Sequence, residues 1–220
     1  MLRSLVVYIT THCSPAHVAM LKSSCWKDMV ASLPRHADIS FYITHPECEK
    51  ACDIPSYFAP TSIICGTEKG KQNGAIAALH NRDAVTMLHK YVWVLRLKPD
   101  TIVFNTRYIL GLRKPHLDAV VATCLGVEMT LPLRLHTDFT LFRSSLLSGG
   151  AALSANAERD LEMILRPASR KLILWKNPSN VCRINFRGVV THNHRPPPVC
   201  EPFTLYNYSE QMAAYFRPTS

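Results

Sequence analysis

A carboxylate two residues past a lysine, at the end of an apolar run, is the arrangement in this sequence most suited to chemistry. Tyr91–Asn105 reads YVWVLRLKPDTIVFN. The run Val92–Leu97 is bounded by Pro99, which suits a buried strand, and Lys98-Pro99-Asp100 falls at its end. In open α/β sheets ligands sit at the ends of buried strands. Arg96 and Lys98 beside Asp100 therefore make a candidate site for phosphate, or for a metal and phosphate together.

Three further groups are candidates. Thr10-Thr11-His12 leaves the first apolar run, where hydroxyls and a ring face a ligand or cap a turn. Gly70-Lys71-Gln72-Asn73-Gly74-Ala75 opens a helical pattern, and a helix N-terminus with a lysine suits an anion. A solvated glycine turn is the plainer alternative. The last group pairs His136-Thr137-Asp138 with His192-Asn193-His194. Asp138 is a candidate general base, or the ion-pair partner of Arg134 or Arg143. His192 and His194 point the same way on an extended segment, so both can meet one phosphate or metal. Neither a dinucleotide-binding glycine fingerprint nor a P-loop is present.

The elements that must position these groups alternate. Leu5–Thr10 reads as a strand. Pro15–Leu33 follows as a helix, with Val18, Leu21, Cys25, Met29 and Leu33 at helical spacing. Ile39–Thr44 and Ser62–Cys65 read as strands, Lys71–Lys90 as a second helix, then Val92–Leu97 as a strand, with a further apolar run at Thr101–Phe104. Such repeats imply a largely parallel α/β sheet flanked by helices. Further strands are expected at Asp118–Cys124, Asp138–Phe142, Leu172–Trp175 and Val189–Thr191, and a helix at Asn156–Leu165. The expected organisation is one domain, with a nucleotide-binding half over 1–105 and an irregular acceptor half over 106–220.

Composition narrows the class. At 220 residues, 47% hydrophobic and 19% charged, the chain is an ordinary globular sequence. No apolar run approaches the length of a membrane-spanning helix, and the start has no small-residue cleavage site. The net charge of +9 draws phosphate-bearing ligands. The cations are scattered, with no run of five and no aromatic interleaving, so nucleic acid is not the expected partner. The eight cysteines are Cys13, Cys25, Cys48, Cys52, Cys65, Cys124, Cys182 and Cys200. His45, Cys48 and Cys52 come nearest to a metal knuckle, but a second knuckle is missing. Free thiols in a reducing cytoplasm are the expectation.

The serial order of LVVYITT (Leu5–Thr11), Cys25-Trp26, Ala37-Asp38, KQNGA (Lys71–Ala75), WVLRLKPD (Trp93–Asp100), HTDFTLFR (His136–Arg143), Ala157-Glu158 and THNH (Thr191–His194) resembles a group of GT-A-type glycosyltransferases. These occur in algae, plants and fungi, and in the large chloroviruses that glycosylate their own capsid protein. The resemblance spans most of Leu5–His194.

That resemblance implies a GT-A-like fold. It implies transfer of a sugar from a UDP-type donor to a glycan or glycoprotein hydroxyl, in the host cytoplasm if the chain is viral. Thr10, Thr11, His12, Lys71, Gln72, Asn73, Arg96, Lys98, Asp100, His192 and His194 would bind the nucleotide. Asp138, with Glu158 as second choice, would take the acceptor proton. The family's strand-end motif is commonly Asp-x-Asp, holding Mn²⁺ or Mg²⁺, and the relatives resembled read more like Arg-Leu-Asn-Pro-Asp. Here it is Arg96-Leu97-Lys98-Pro99-Asp100. A lysine cannot ligate a metal. Two expectations follow: Asp100 with His194 holds a hydrated ion, or Lys98 neutralises the diphosphate without one. A non-catalytic basic RNA-binding protein, a nucleotidyltransferase releasing pyrophosphate, and an inactive scaffold of this fold are the competing readings.

Overall fold

The strands form where apolar and β-branched residues run together. In the computed structural model β1 (Arg3–Thr11), β2 (Asp38–Ile43), β3 (Ser62–Cys65) and β4 (Tyr91–Leu97) match the sequence reading closely. The structure describes residues 2–45, 47–48, 52–67, 71–124, 134–148, 157–165, 172–176, 185–186 and 190–192.

Both expected long helices are split, and in each case a capping side chain makes the break. The first becomes α1 (Pro15–Leu21) and α2 (Ser24–Ala31), because the Ser23 hydroxyl accepts from the Trp26 amide and starts a new helix. The second becomes α3 (Lys71–His80) and α4 (Arg82–Leu88), because the Asn81 side chain accepts from the Asp83 and Ala84 amides. Ser and Asn satisfy the orphan amides of a first turn better than they fit a helix interior. After β4 come β5 (Thr101–Val103), α5 (Thr106–Gly111), β6 (Ala119–Cys124) and β7 (Arg134–Arg143). The remaining helices and strands among the described residues are α6 (Ala157–Leu165), β8 (Leu172–Lys176), β9 (Asn185–Phe186) and β10 (Val190–His192). Strand β7 starts before the expected Asp138, so His136 lies inside it.

Seven strands join in the order β3-β2-β1-β4-β7-β6-β8, and β5-β10-β9 form a small second sheet. The pairings β3–β2, β2–β1, β1–β4 and β6–β8 are parallel, and those flanking β7 are antiparallel. The mostly parallel α/β architecture is therefore the one observed. Strand β1 has β2 on one side and β4 on the other, which makes its C-terminal end the point where the winding reverses. Open α/β sheets leave a crevice there.

Each face of the sheet carries its own core. Leu5, Val7, Ile9, Leu95 and Leu97 pack with Met20, Leu21 and Trp26 of the first two helices. Val6, Tyr8, Val94 and Phe142 pack with Ile76, Leu79, Val85 and Leu161 on the opposite face. Trp26 also fixes the strand-end turn, for its indole N–H donates to the Pro99 carbonyl at 2.6 Å. Replacing Trp26 by Phe removes that donor and leaves a buried carbonyl unpaired. A loss of about 1–3 kcal/mol is expected from the carbonyl alone, read as a lower urea midpoint at unchanged m-value.

Candidate functional site

Parallel register brings two of the sequence candidates together. Ile9 sits opposite Leu97, so Thr10–His12 and Lys98–Asp100 leave neighbouring strands at one end of the sheet. Strand alternation then sorts the side chains between the two faces.

On one face lies Arg96, with no exposed surface at all. Its Nη2 donates to Thr10 Oγ1 at 2.9 Å. Its Nε and Nη1 have no hydrogen-bond partner among the described residues. Burial lowers its pKa to about 10, against the pull of Asp138, Tyr8 and Asp100. Arg96 lies opposite Thr140 of β7, and two residues along that strand is Asp138. Asp138 is buried and ion-paired with Lys98 Nζ, and its carbonyl accepts from the Lys98 amide at 3.1 Å. Arg143, one of the partners proposed from sequence, pairs with Asp118 instead. The side chain of Arg134 lies outside the described residues.

At the neighbouring edge is a second set that includes a residue the sequence reading passed over. His17 is buried on α1. Its Nδ1 is 2.9 Å from Thr11 Oγ1, and its Nε2 is 4.0 Å from Asp100 Oδ2. The Thr11 oxygen already accepts from the Cys13 amide at 3.0 Å. With the hydroxyl donating to Nδ1, the proton of the neutral ring sits on Nε2 and faces the carboxylate, which satisfies both neighbours. His12 stacks on His17 with ring centroids 4.1 Å apart. Burial, and then the neighbouring His12, push the His17 pKa down to about 4, against the pull of Asp100. A histidine in the first turn after β1 was the available signal.

Asp100 is not the solvent-facing carboxylate that a strand end implied. It is 6% exposed, because the turn closed by Thr101 N–H to Lys98 C=O folds it back over α1. Lys71, Gln72 and Asn73 form the first turn of α3, and Glu158 lies in the first turn of α6. Their side chains lie outside the described residues. The backbone of His192 pairs with Thr101, beside Asp100, whereas His194 lies outside the described residues.

The cysteines overturn the free-thiol expectation. Cys13 bonds Cys52 and Cys48 bonds Cys65, with Cα separations of 5.3 and 5.5 Å. Cys25 is also in a disulfide, and no described cysteine is free. The fold brings Cys52 against the exit of β1 and Cys48 against the exit of β3, which no local spacing reveals. Among the described residues no group of three or more ligating side chains could hold a metal ion. The donors at the site are two carboxylates, Asp100 and the Lys98-paired Asp138, since both nitrogens of the neutral His17 ring are engaged by Thr11 and Asp100. That set fits an ion that keeps its waters and arrives with phosphate oxygens, as Mg²⁺ does.

No family model matches the sequence, and no curated protein matches it. Solved structures are similar in fold. A cytidylyltransferase from Leptospira borgpetersenii is 12% identical with a TM-score of 0.50, over 82% of this chain and 78% of that one. A glycosyltransferase involved in glycosylation of the major capsid of PBCV-1 is 10% identical with a TM-score of 0.45, over 79% and 82%. A mannosyltransferase from Pyrobaculum calidifontis, solved with GDP-Man and Mn²⁺, is 16% identical with a TM-score of 0.49, over 80% and 56%.

Two outcomes follow from this geometry. In the unfolded chain a histidine takes up a proton near pH 6.5, whereas folded His17 stays neutral down to about 4. Its contribution to stability is intact above pH 6.5 and is lost as pH falls from there to about 4, on the order of 3 kcal/mol. His17→Gln should show a shallower fall of Tm across that window than the parent. Reduction should also cost stability. Loops of 39 and 17 residues are closed, worth about 4 and 3 kcal/mol by chain entropy. A dithiothreitol series followed by Tm checks this.

Proposed function

We propose that the chain transfers a sugar from a UDP-type nucleotide donor to a hydroxyl of a glycan or glycoprotein acceptor. The observation carrying this is the convergence of Arg96, Lys98, Asp100 and Asp138 at the exits of β1 and β4, where the sheet winding reverses. The fold shared with nucleotide-sugar transferases and a cytidylyltransferase supports it.

Cleaving the bond from sugar C1 to the nucleotide leaves negative charge on the diphosphate. Lys98 reaches that charge directly, and Arg96 adds positive potential from beneath the site in a low dielectric. Asp100 would hold Mn²⁺ or Mg²⁺ where the donor brings one, and the ion would supply further charge neutralisation. His17 keeps Asp100 oriented. Thr11, His12 and the first turn of α3 line the nucleotide's side. When the diphosphate gives Lys98 another anion, Asp138 is released to accept the proton of the acceptor hydroxyl as its oxygen bonds to C1, for transfer with inversion. Glu158 is the second choice for that base. The disulfides fit an oxidising compartment better than a reducing cytoplasm. No helix of the described residues is long and apolar enough to cross a membrane.

The test is a nucleotide panel followed by product identification. UDP at 100 times its dissociation constant should stabilise the fold by about 2.7 kcal/mol, more than ATP or CMP at equal concentration. With UDP-sugars the product should be UDP. Pyrophosphate from CTP and a sugar acid or sugar phosphate would replace this reading with nucleotidyl transfer. Asp138→Asn should bind UDP yet transfer at least ~100-fold more slowly per folded molecule. It should also melt lower, because Lys98 and Arg96 lose a buried counter-charge. Full turnover in a folded Asn variant would remove Asp138 from the chemistry.

A further inference from the structure

The positive charge of the chain is not spread as evenly in space as in sequence. Strands β1, β2, β4 and β6 run in one direction and β7 runs against them. The starts of four strands and the end of β7 therefore share one edge, opposite the candidate site. Arg3 opens β1, Arg35 precedes β2, Lys90 precedes β4, Arg113 and Lys114 precede β6, and Arg143 closes β7. Contacts confirm the gathering. The Arg3 amide donates to the Lys90 carbonyl at 2.8 Å. The Arg143 guanidinium donates to the Pro115 carbonyl at 3.1 Å and the Lys114 carbonyl at 3.4 Å.

Two carboxylates oppose these six cations. Asp38 pairs with Arg3, and Asp118 with Arg143. Arg35, Lys90 and Lys114 are exposed and have no ion-pair partner among the described residues. Away from this edge and the buried site, the described exposed charges cancel. Lys22, Lys27, Arg82 and Arg107 are matched in number by Asp28, Glu47, Asp53 and Asp83. The surplus of the described surface thus lies on a single edge.

We propose that this edge docks the protein on an anionic lipid surface. The edge is broad, since five adjacent strand ends span roughly 19 Å at the usual strand spacing. Leu2, 61% exposed, stands next to Arg3 as an apolar side chain at the same place. Single-stranded nucleic acid would call for exposed ring faces to stack bases. The Tyr and Trp rings here offer none, since Tyr91 and Trp93 are 3% and 6% exposed and Arg143 covers the Trp93 ring at 4.8 Å, and the exposed rings are the smaller imidazoles of His36, His89 and His116. Docked this way, the candidate site faces away from the lipid by about the length of β1, nine residues or roughly 30 Å. The proposal does not rest on the reaction proposed for that site.

The experiment is co-sedimentation of the disulfide-bonded protein with phosphatidylcholine vesicles, with and without 30% phosphatidylserine, in 50 mM salt. Binding should need phosphatidylserine and fade by 500 mM salt, where screening is within a few Å. A variant carrying Arg35→Gln, Lys90→Gln and Lys114→Gln should bind about 100-fold more weakly, near fivefold per cation. A control carrying Lys22→Gln, Lys27→Gln and Arg82→Gln loses the same net charge elsewhere and should bind within about threefold of the parent. Both variants should keep the parent's Tm, and if the edge variant does not, single substitutions read the same trend. Equal weakening of both variants, no preference for phosphatidylserine, or tighter binding to a single-stranded RNA oligonucleotide than to vesicles would overturn the proposal.

Discussion

A guanidinium with no access to solvent sits at the centre of this fold, and much of the site is arranged around it. Arg96 lies near the C-terminal end of β4, covered on its face by the second core. An isolated charge in such a place costs many kcal/mol unless opposite charge and hydrogen bonds compensate it. Thr10 supplies one acceptor from β1. Asp138 reaches the same region because β7 runs antiparallel beside β4 and sets Thr140 opposite Arg96. Asp138 in turn holds Lys98, two residues on and just past the end of β4. Two cations and two carboxylates balance within one short stretch of three neighbouring strands. Removing any one of them leaves charge behind, so each carries part of the stability of the fold.

The loops around this set are held from outside the sheet. Trp26 ties down the Lys98–Thr101 turn from α2. Two disulfides tie Cys52 and Cys48 to the exits of β1 and β3, the first of them through Cys13, two residues beyond Thr11. Cys13 itself is in the left-handed region, at φ 52°, a conformation that non-glycine residues hold only where their surroundings enforce it. The leaving-group stabilisation proposed for this site would gain from such fixing, because dipoles held in place need not reorganise during a reaction.

Much of the architecture was legible in the chain. Runs of β-branched and apolar residues marked β1 to β4 within a residue or two. Their alternation with helical patterns implied the mostly parallel sheet. The polar step at Lys98-Pro99-Asp100 and the threonines at Thr10-Thr11 stood out because they interrupt apolar runs at strand ends. Less visible were the breaks at Ser23 and Asn81. Helical periodicity continues through each of them, and only the side-chain hydrogen bonds to the following amides show that a new helix begins.

Sequence by itself determined the local terms: which segments extend or coil, which face of each is apolar, and which strand ends carry charge. Steric preference and burial act on neighbouring residues, so periodicity records them. Tertiary structure alone decided the partners. Arg96 meets Thr10 across 86 positions and Lys98 meets Asp138 across 40. His17 joins Thr11 to Asp100, and Cys13 meets Cys52. Such pairs depend on the strand order and on the antiparallel entry of β7. Coulombic and covalent contacts follow distance in space, and no spacing along the chain carries that distance.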